Sequence, residues 1–360
     1  MSQIRFEVLP PIRDPQEPVF ICGSLPALGS WDPAKALPLQ WAKPHHAGEI
    51  TVETGTSFEY KILRGSWQNE AVDAWGHVLP NFRHDTWLNS TRHHTVADWK
   101  DRYAGRLTRD GLHSNLLAGP RELLVWLPPS YASEPERHFP LILLHDGANV
   151  FDPATSFTGV DWAADEWVTA LHAEGVMPEA LVVAIVHPEG YNEDGQSFRD
   201  VDLSPELGGS GYARFLVTEL LPYLDGRYRT LTDPAARILA GASLGALLTF
   251  YVSLHHPGVF GKFACLSTSF EDVSQSLPQH SGQLQALEWM TALPAGVRMY
   301  FDYGDTGLDE CYEVYHTHLA SLLRSKGWTD QFTTKQIAGG THNELSWRNR
   351  FGTALRFLAS

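Results

Sequence analysis

Along residues 1–98 the apolar positions come in short runs, and no helical period is visible. Residues 4–9, 19–22, 49–53 and 57–63 are apolar or alternating, and Gly, Pro and Asn separate them. Runs of that length between turn formers predict β-strands, so this stretch reads as a small all-β sandwich. Residues 99–118 are polar and mixed, with Asp101-Arg102 and Thr108-Arg109-Asp110-Gly111, and read as a linker. From Arg121 the pattern changes. Apolar strands are expected at 122–127, 141–145, 181–186, 236–240, 298–303 and 333–337. They alternate with helical patterns near 162–174, 212–224, 246–255 and 311–326. Such alternation implies a mostly parallel sheet with helices on both faces, here over residues 119–360.

Composition narrows the function classes. The chain has 360 residues, 43% hydrophobic and 19% charged, enough to bury two cores and too apolar for long disorder. Its 27 basic and 42 acidic residues give a net charge of −15. Nucleic-acid binding needs cations to displace phosphate counterions, and anionic membranes need the same, so neither partner is expected. No apolar run approaches the ~20 residues of a membrane span. Residues 1–7 lack the apolar segment of a signal peptide, so a cytoplasmic location is the expectation. Cys22, Cys265 and Cys311 are scattered and odd in number, which predicts neither a disulfide framework nor a zinc site. The sequence carries no indication of oligomeric state.

The candidate chemistry starts at Gly241-Ala242-Ser243-Leu244-Gly245. This GxSxG run follows an apolar strand and opens a helical pattern. Small flanking residues allow the sharp turn that lifts a serine to the tip of a nucleophile elbow. His342 lies in Gly339-Gly340-Thr341-His342-Asn343, between the last expected strand and a final helix, where a general base belongs. The acid should follow strand 298–303. The loop there offers Asp305, Asp309 and Glu310, in the order of preference Asp309, Asp305, Glu310. One oxyanion donor is the Leu244 N–H. The second should come from Gly147 or Ala148, after strand 141–145, with Asp146 bracing that loop. Loop position nominates Asn149, Phe151, Trp162, Phe270 and Trp347 for the substrate pocket.

Together these segments resemble the esterase D, or enterochelin-esterase-like, family of α/β hydrolases. The resemblance spans about residues 119–358. It includes the opening segment 121–131, His145-Asp146-Gly147-Ala148-Asn149 with Ala148 where the family usually has Gln, segment 221–230, the elbow, and segments 256–261 and 266–270. It implies an α/β-hydrolase fold and a serine carboxylic-ester hydrolase with no metal or cofactor. Ferulate or acetyl esters on sugars, siderophore esters and simple thioesters fall within its range. An acyltransferase using the same site is an alternative, as is a glucan-binding adaptor with an inert hydrolase domain.

The first hundred residues resemble a starch-binding-type carbohydrate-binding module of family 20, through segments 19–33 and 58–67. That likeness implies a glucan site at Trp31, Lys61 and Trp67, where indole faces stack on sugar rings and the lysine donates to a hydroxyl. Gln68 stands where the family usually has Glu. The implied ligands are thus a small-molecule or carbohydrate ester and a glucan.

Overall fold

The computed structural model describes residues 1–11, 15–73, 78–100, 105–270 and 296–360. The chain forms two compact units, Met1–Gly105 and Arg106–Ser360.

The first unit is all β, with strands β1 (Ser2–Leu9), β2 (Val19–Gly23), β3 (Leu37–Ala42), β4 (His45–Val52), β5 (Ser57–Leu63), β6 (Ala71–Val72), β7 (Phe82–Asp85), β8 (Ser90–Thr95) and β9 (Asp98–Trp99). Seven of them pair in the order β7-β5-β2-β3-β4-β1-β8, and β6 pairs with β9. Only β1 and β8 run parallel within the larger sheet. Alternate residues Ile4, Phe6 and Val8 of β1, with Ile21, Phe58, Tyr60, Ile62 and Trp99, form its buried core.

The second unit holds an eight-stranded sheet. Its strands are β10 (Arg106–His113), β11 (Pro120–Leu127), β12 (Leu141–Leu144), β13 (Leu181–Val186), β14 (Arg237–Ala242), β15 (Lys262–Leu266), β16 (Arg298–Gly304) and β17 (Phe332–Ile337). Their order is β10-β11-β13-β12-β14-β15-β16-β17. β11 runs antiparallel to both its neighbours, and every other pairing is parallel. The described helices are α1 (Ala164–Ala173), α2 (Phe198–Leu203), α3 (Gly209–Phe215), α4 (Leu221–Arg227), α5 (Leu244–His255), α6 (Glu313–Ser325) and α7 (Glu344–Ala359). Successive strand residues point to opposite faces, which separates two cores. Leu143, Val183, Leu239, Cys265 and Phe301 pack under α3 to α6, while Ile142, Val182, Ala240, Ala264 and Tyr300 pack under α1 and α7. Each fully buried Leu, Ile, Val or Phe among them contributes about 1.5–3 kcal/mol. This is the α/β-hydrolase architecture.

Residues 99–118 are not simply a linker, because β10 lies inside them. It pairs antiparallel with β11 over its whole length. As an edge strand it leaves alternate residues exposed. Its polar composition follows from that exposure and gave no apolar signal. Among the described residues no helix is long and apolar enough to cross a membrane.

Candidate active site

Strand β14, in the interior of the sheet, delivers the chain to Ser243 at its C-terminal end, and α5 begins at the next residue. Ser243 has φ 57° and ψ −123°. A non-glycine residue held there costs of order 1–3 kcal/mol, so the surroundings must enforce it. Ser243 N–H donates to the Leu266 carbonyl (3.0 Å), and Leu247 N–H donates to the Ser243 carbonyl (3.1 Å). Gly241 permits the tight return: a Cβ there would stand 2.5 Å from the Gly245 carbonyl carbon.

The hydroxyl of Ser243 meets a continuous chain of hydrogen bonds. Its Oγ is 2.9 Å from His342 Nε2, and His342 Nδ1 is 2.6 Å from Asp309 Oδ1. Asp309 is fully buried. Its Oδ2 accepts from Gly304 N–H at 2.7 Å and from Ser267 Oγ at 2.5 Å. Burial works to raise its pKa, but the bonds from His342, Ser267 and Gly304 prevail and hold it below the usual carboxylate range.

The two competing acids lie elsewhere. Asp305 accepts from Gly339 N–H (2.7 Å) and braces the loop, and Glu310 accepts from Gly307 N–H (3.0 Å).

Ser267, which the sequence presents only within segment 266–270, sits directly behind the acid. It is fully buried with φ 43°. Its Oγ accepts from Trp347 Nε1 at 3.0 Å and from an Arg350 guanidinium nitrogen. A hydroxyl has two acceptor sites and one proton. With both acceptor sites taken, its proton is left for Asp309. Arg350 also stands 3.4 Å from Asp302, a second fully buried acid. Burial pushes the Asp302 carboxyl up to about 6, opposed by Arg350 and by the Tyr300 hydroxyl, which donates to it at 3.0 Å. The position of Ser267, one residue beyond the strand beside the nucleophile strand, was the available signal for it.

The loop after β12 faces the serine. Asp146 adopts φ 55°, ψ 47° and takes two bonds from Arg199, at 2.5 and 2.9 Å. That is the bracing role expected of it. At Gly147 a Cβ would lie 2.7 Å from the Ile185 carbonyl carbon, so only glycine lets the loop close on β13. Leu244 is the first residue of α5, and the first N–H groups of a helix have no partner within it. Behind the loop, Arg121 holds Asp202 through two bonds (2.7 and 3.1 Å), and Asp202 Oδ2 lies 2.9 Å from His187 Nδ1.

A cleft of about 560 Å³ opens over Ser243 and His342. Gly147, Ala148, Asn149, Trp162 and Trp347 line it. Trp347 stands edge-on to His342, 5.1 Å between ring centres. Phe270 does not line this cleft. It is fully buried against Phe250 and His316, because its side chain turns into the core beneath the strand ends. Phe151 likewise packs partly buried against the core under α1 and α7. Glu344 and His187, which the sequence did not single out, are in the cleft wall.

In the first unit Trp31 and Trp67 lie 6.2 Å apart with ring planes 38° from parallel, both half-buried. The Lys61 ammonium is held by Glu70 at 2.9 Å. Among the described residues no group of three His, Cys, Asp or Glu is placed to hold a metal ion. Cys22 and Cys265 are buried and Cys311 is exposed.

A family model described as "Putative esterase" matches residues 114–358, and one described as "Starch binding domain" matches residues 1–96. Uncharacterized protein YbbA of Bacillus subtilis (strain 168) is 24% identical over 255 residues, 67% of this chain and 93% of that protein. A solved ferulic acid esterase superposes with TM-score 0.55 at 20% identity, covering 71% of this chain and 98% of the other. The enterobactin esterase FES from Shigella flexneri superposes with TM-score 0.57 at 16% identity, covering 96% of this chain and 91% of the other. With the esterase model matched over most of its length, the chain belongs to that esterase family and is by class a serine esterase, a carboxylic-ester hydrolase, with a starch-binding-type domain ahead of the hydrolase fold.

Proposed function

We propose that Ser243, His342 and Asp309 form the catalytic triad of this esterase, and that its substrates are carbohydrate-linked esters. The observation that carries the triad is the unbroken run of hydrogen bonds from Ser243 Oγ through His342 to Asp309 at the floor of the cleft. His342 Nε2 takes the Oγ proton as Oγ attacks the ester carbonyl carbon. The carbonyl π electrons move onto oxygen, which the N–H groups of Leu244 and of Gly147 or Ala148 receive. His342 then returns the proton to the departing alcohol oxygen, the C–O bond breaks, and an acyl-serine remains. Water repeats the sequence and releases the acid. Asp309 accepts a hydrogen bond from the Nδ1–H, fixes the tautomer and stabilises the imidazolium.

Two findings support the carbohydrate reading. Residues 1–96 match a starch-binding model, and a ferulic acid esterase is among the structural relatives. Trp31 and Trp67 then stack on a glucan, with Lys61 donating to a hydroxyl once it yields part of its bond to Glu70. The test is a fluorophosphonate probe with a nitrophenyl ester, followed by feruloyl and acetyl sugar esters. Labelling that disappears in Ser243→Ala, with turnover of the sugar esters, supports the reading. A silent, unlabelled protein that still binds glycogen would instead be a glucan-binding adaptor. Transfer of the acyl group to a sugar hydroxyl in place of water would make it an acyltransferase.

A further inference from the structure

Three residues in the cleft wall each carry a polar atom that makes no hydrogen bond with a described residue. Glu344 opens α7 and is only 6% exposed. One carboxylate oxygen accepts from Asn149 Nδ2 at 3.3 Å, and the other accepts from no described residue. Asn149 is oriented for this, because its Oδ1 is taken by Phe157 N–H at 3.0 Å. Arg199 does not complete the carboxylate, since two of its nitrogens are given to Asp146. Trp162, 2% exposed, has an indole N–H with no acceptor. His187 Nδ1 lies 2.9 Å from Asp202 Oδ2, and its Nε2, which makes no hydrogen bond, lies 3.8 Å from Asp146 Oδ1.

All three residues line the cleft that holds Ser243 and His342. A buried, half-satisfied carboxylate is costly unless something completes it. The open acceptor of Glu344 and the open donor of Trp162 together call for a group that both gives and takes protons. A hydroxyl does both. A carboxylate or phosphate on the substrate has no proton for Glu344 and is repelled by it. A quaternary ammonium has no hydrogen to donate and no lone pair for Trp162.

We infer that Glu344 is a specificity-determining residue that reads hydroxyl groups on a neutral substrate, with Trp162 completing the set. This rests on Ser243 being the nucleophile beside it. The hydroxyls belong either to a sugar on the alcohol side of the ester or to a dihydroxylated aromatic acyl group.

Two matched ester pairs separate these sources. The first is acetyl glucose against cyclohexyl acetate. The second is methyl 3,4-dihydroxycinnamate against methyl cinnamate. The parent enzyme should favour the hydroxylated member of one pair by roughly tenfold or more in kcat/KM, the scale of a hydrogen bond to a charged group. That ratio should collapse in Glu344→Ala and fall severalfold in Glu344→Gln, mainly through KM. Using the ratio within one variant removes differences in folded fraction, and Glu344→Gln decides the matter if the alanine variant does not fold. A parent indifferent to hydroxyls in both pairs, or a ratio unchanged in the variants, overturns the proposal. Failure of the serine mechanism has a different signature: Ser243→Ala would then keep its turnover of all four esters.

Discussion

The cleft over Ser243 and the tryptophan pair of the first unit make opposite demands on geometry. At the cleft, one fully buried carboxylate accepts from an imidazole, a hydroxyl and a backbone N–H, all within 2.7 Å. At Trp31 and Trp67 two half-buried rings face each other loosely, and the lysine beside them is engaged by Glu70. Proton transfer fails when groups shift by tenths of an ångström, whereas stacking tolerates such shifts. A proposed catalytic site therefore requires a supporting shell, and a sugar-stacking site requires only exposed faces.

The strongest way to break this contrast is Ser243→Ala. It should remove at least three orders of magnitude of ester turnover while the thermal melt is retained, since triads contribute about that much beyond binding and oxyanion stabilisation. Near-normal turnover in purified protein would end the serine mechanism. Next in size is Asp309→Asn, expected to lower kcat by roughly 10²–10⁴-fold with a smaller change in KM. Asp305→Asn, measured alongside, should cost far less, because that residue braces a loop. The reverse ranking would move the acid along the loop.

Ser267→Ala tests the shell itself. Removing one donor to the acid should lower kcat by about tenfold. The pH dependence has a definite sign. Asp309 is held below its unfolded value, so its contribution to stability is present above a pH of about 4 and is lost as pH falls through the folded value. Without the Ser267 bond the folded value rises, so the parent's stability advantage over the variant should shrink on acidification below about pH 4. A gap independent of pH would show that the hydroxyl only fills space. The smallest effect is expected in the first unit. Trp31→Ala and Trp67→Ala should each weaken retention on starch by about tenfold, on the scale of one lost stacking contact. Small-ester turnover should be unchanged. Absence of retention in the parent protein would remove the glucan role.

The legible parts of the chain were those whose signal is local. The GxSxG run, its flanking strand and helix, and the glycine-rich loop at His342 are contiguous in sequence, so spacing alone located them. Ser267 was not legible as a support, because its function comes from meeting Trp347 and Arg350, 80 and 83 residues later. Glu344 reads as an ordinary acidic residue at a helix start until Asn149, 195 residues earlier, is seen beside it. Phe270 misled because loop position does not say which way a side chain turns. Strands β3, β7, β8 and β10 escaped detection because one face of each is exposed and polar.

Helix α7 has a consequence in time. It carries Glu344, Trp347 and Arg350, and His342 lies just before it, 99 residues after Ser243. At the ~5–20 residues per second of synthesis, the serine leaves the ribosome roughly 5–20 seconds before its base does. During that interval the elbow has neither an imidazole to take its proton nor the indole that closes the cleft. If the proposed triad carries the chemistry, the order of the residues along the chain keeps each nascent copy silent until β17 and α7 have emerged.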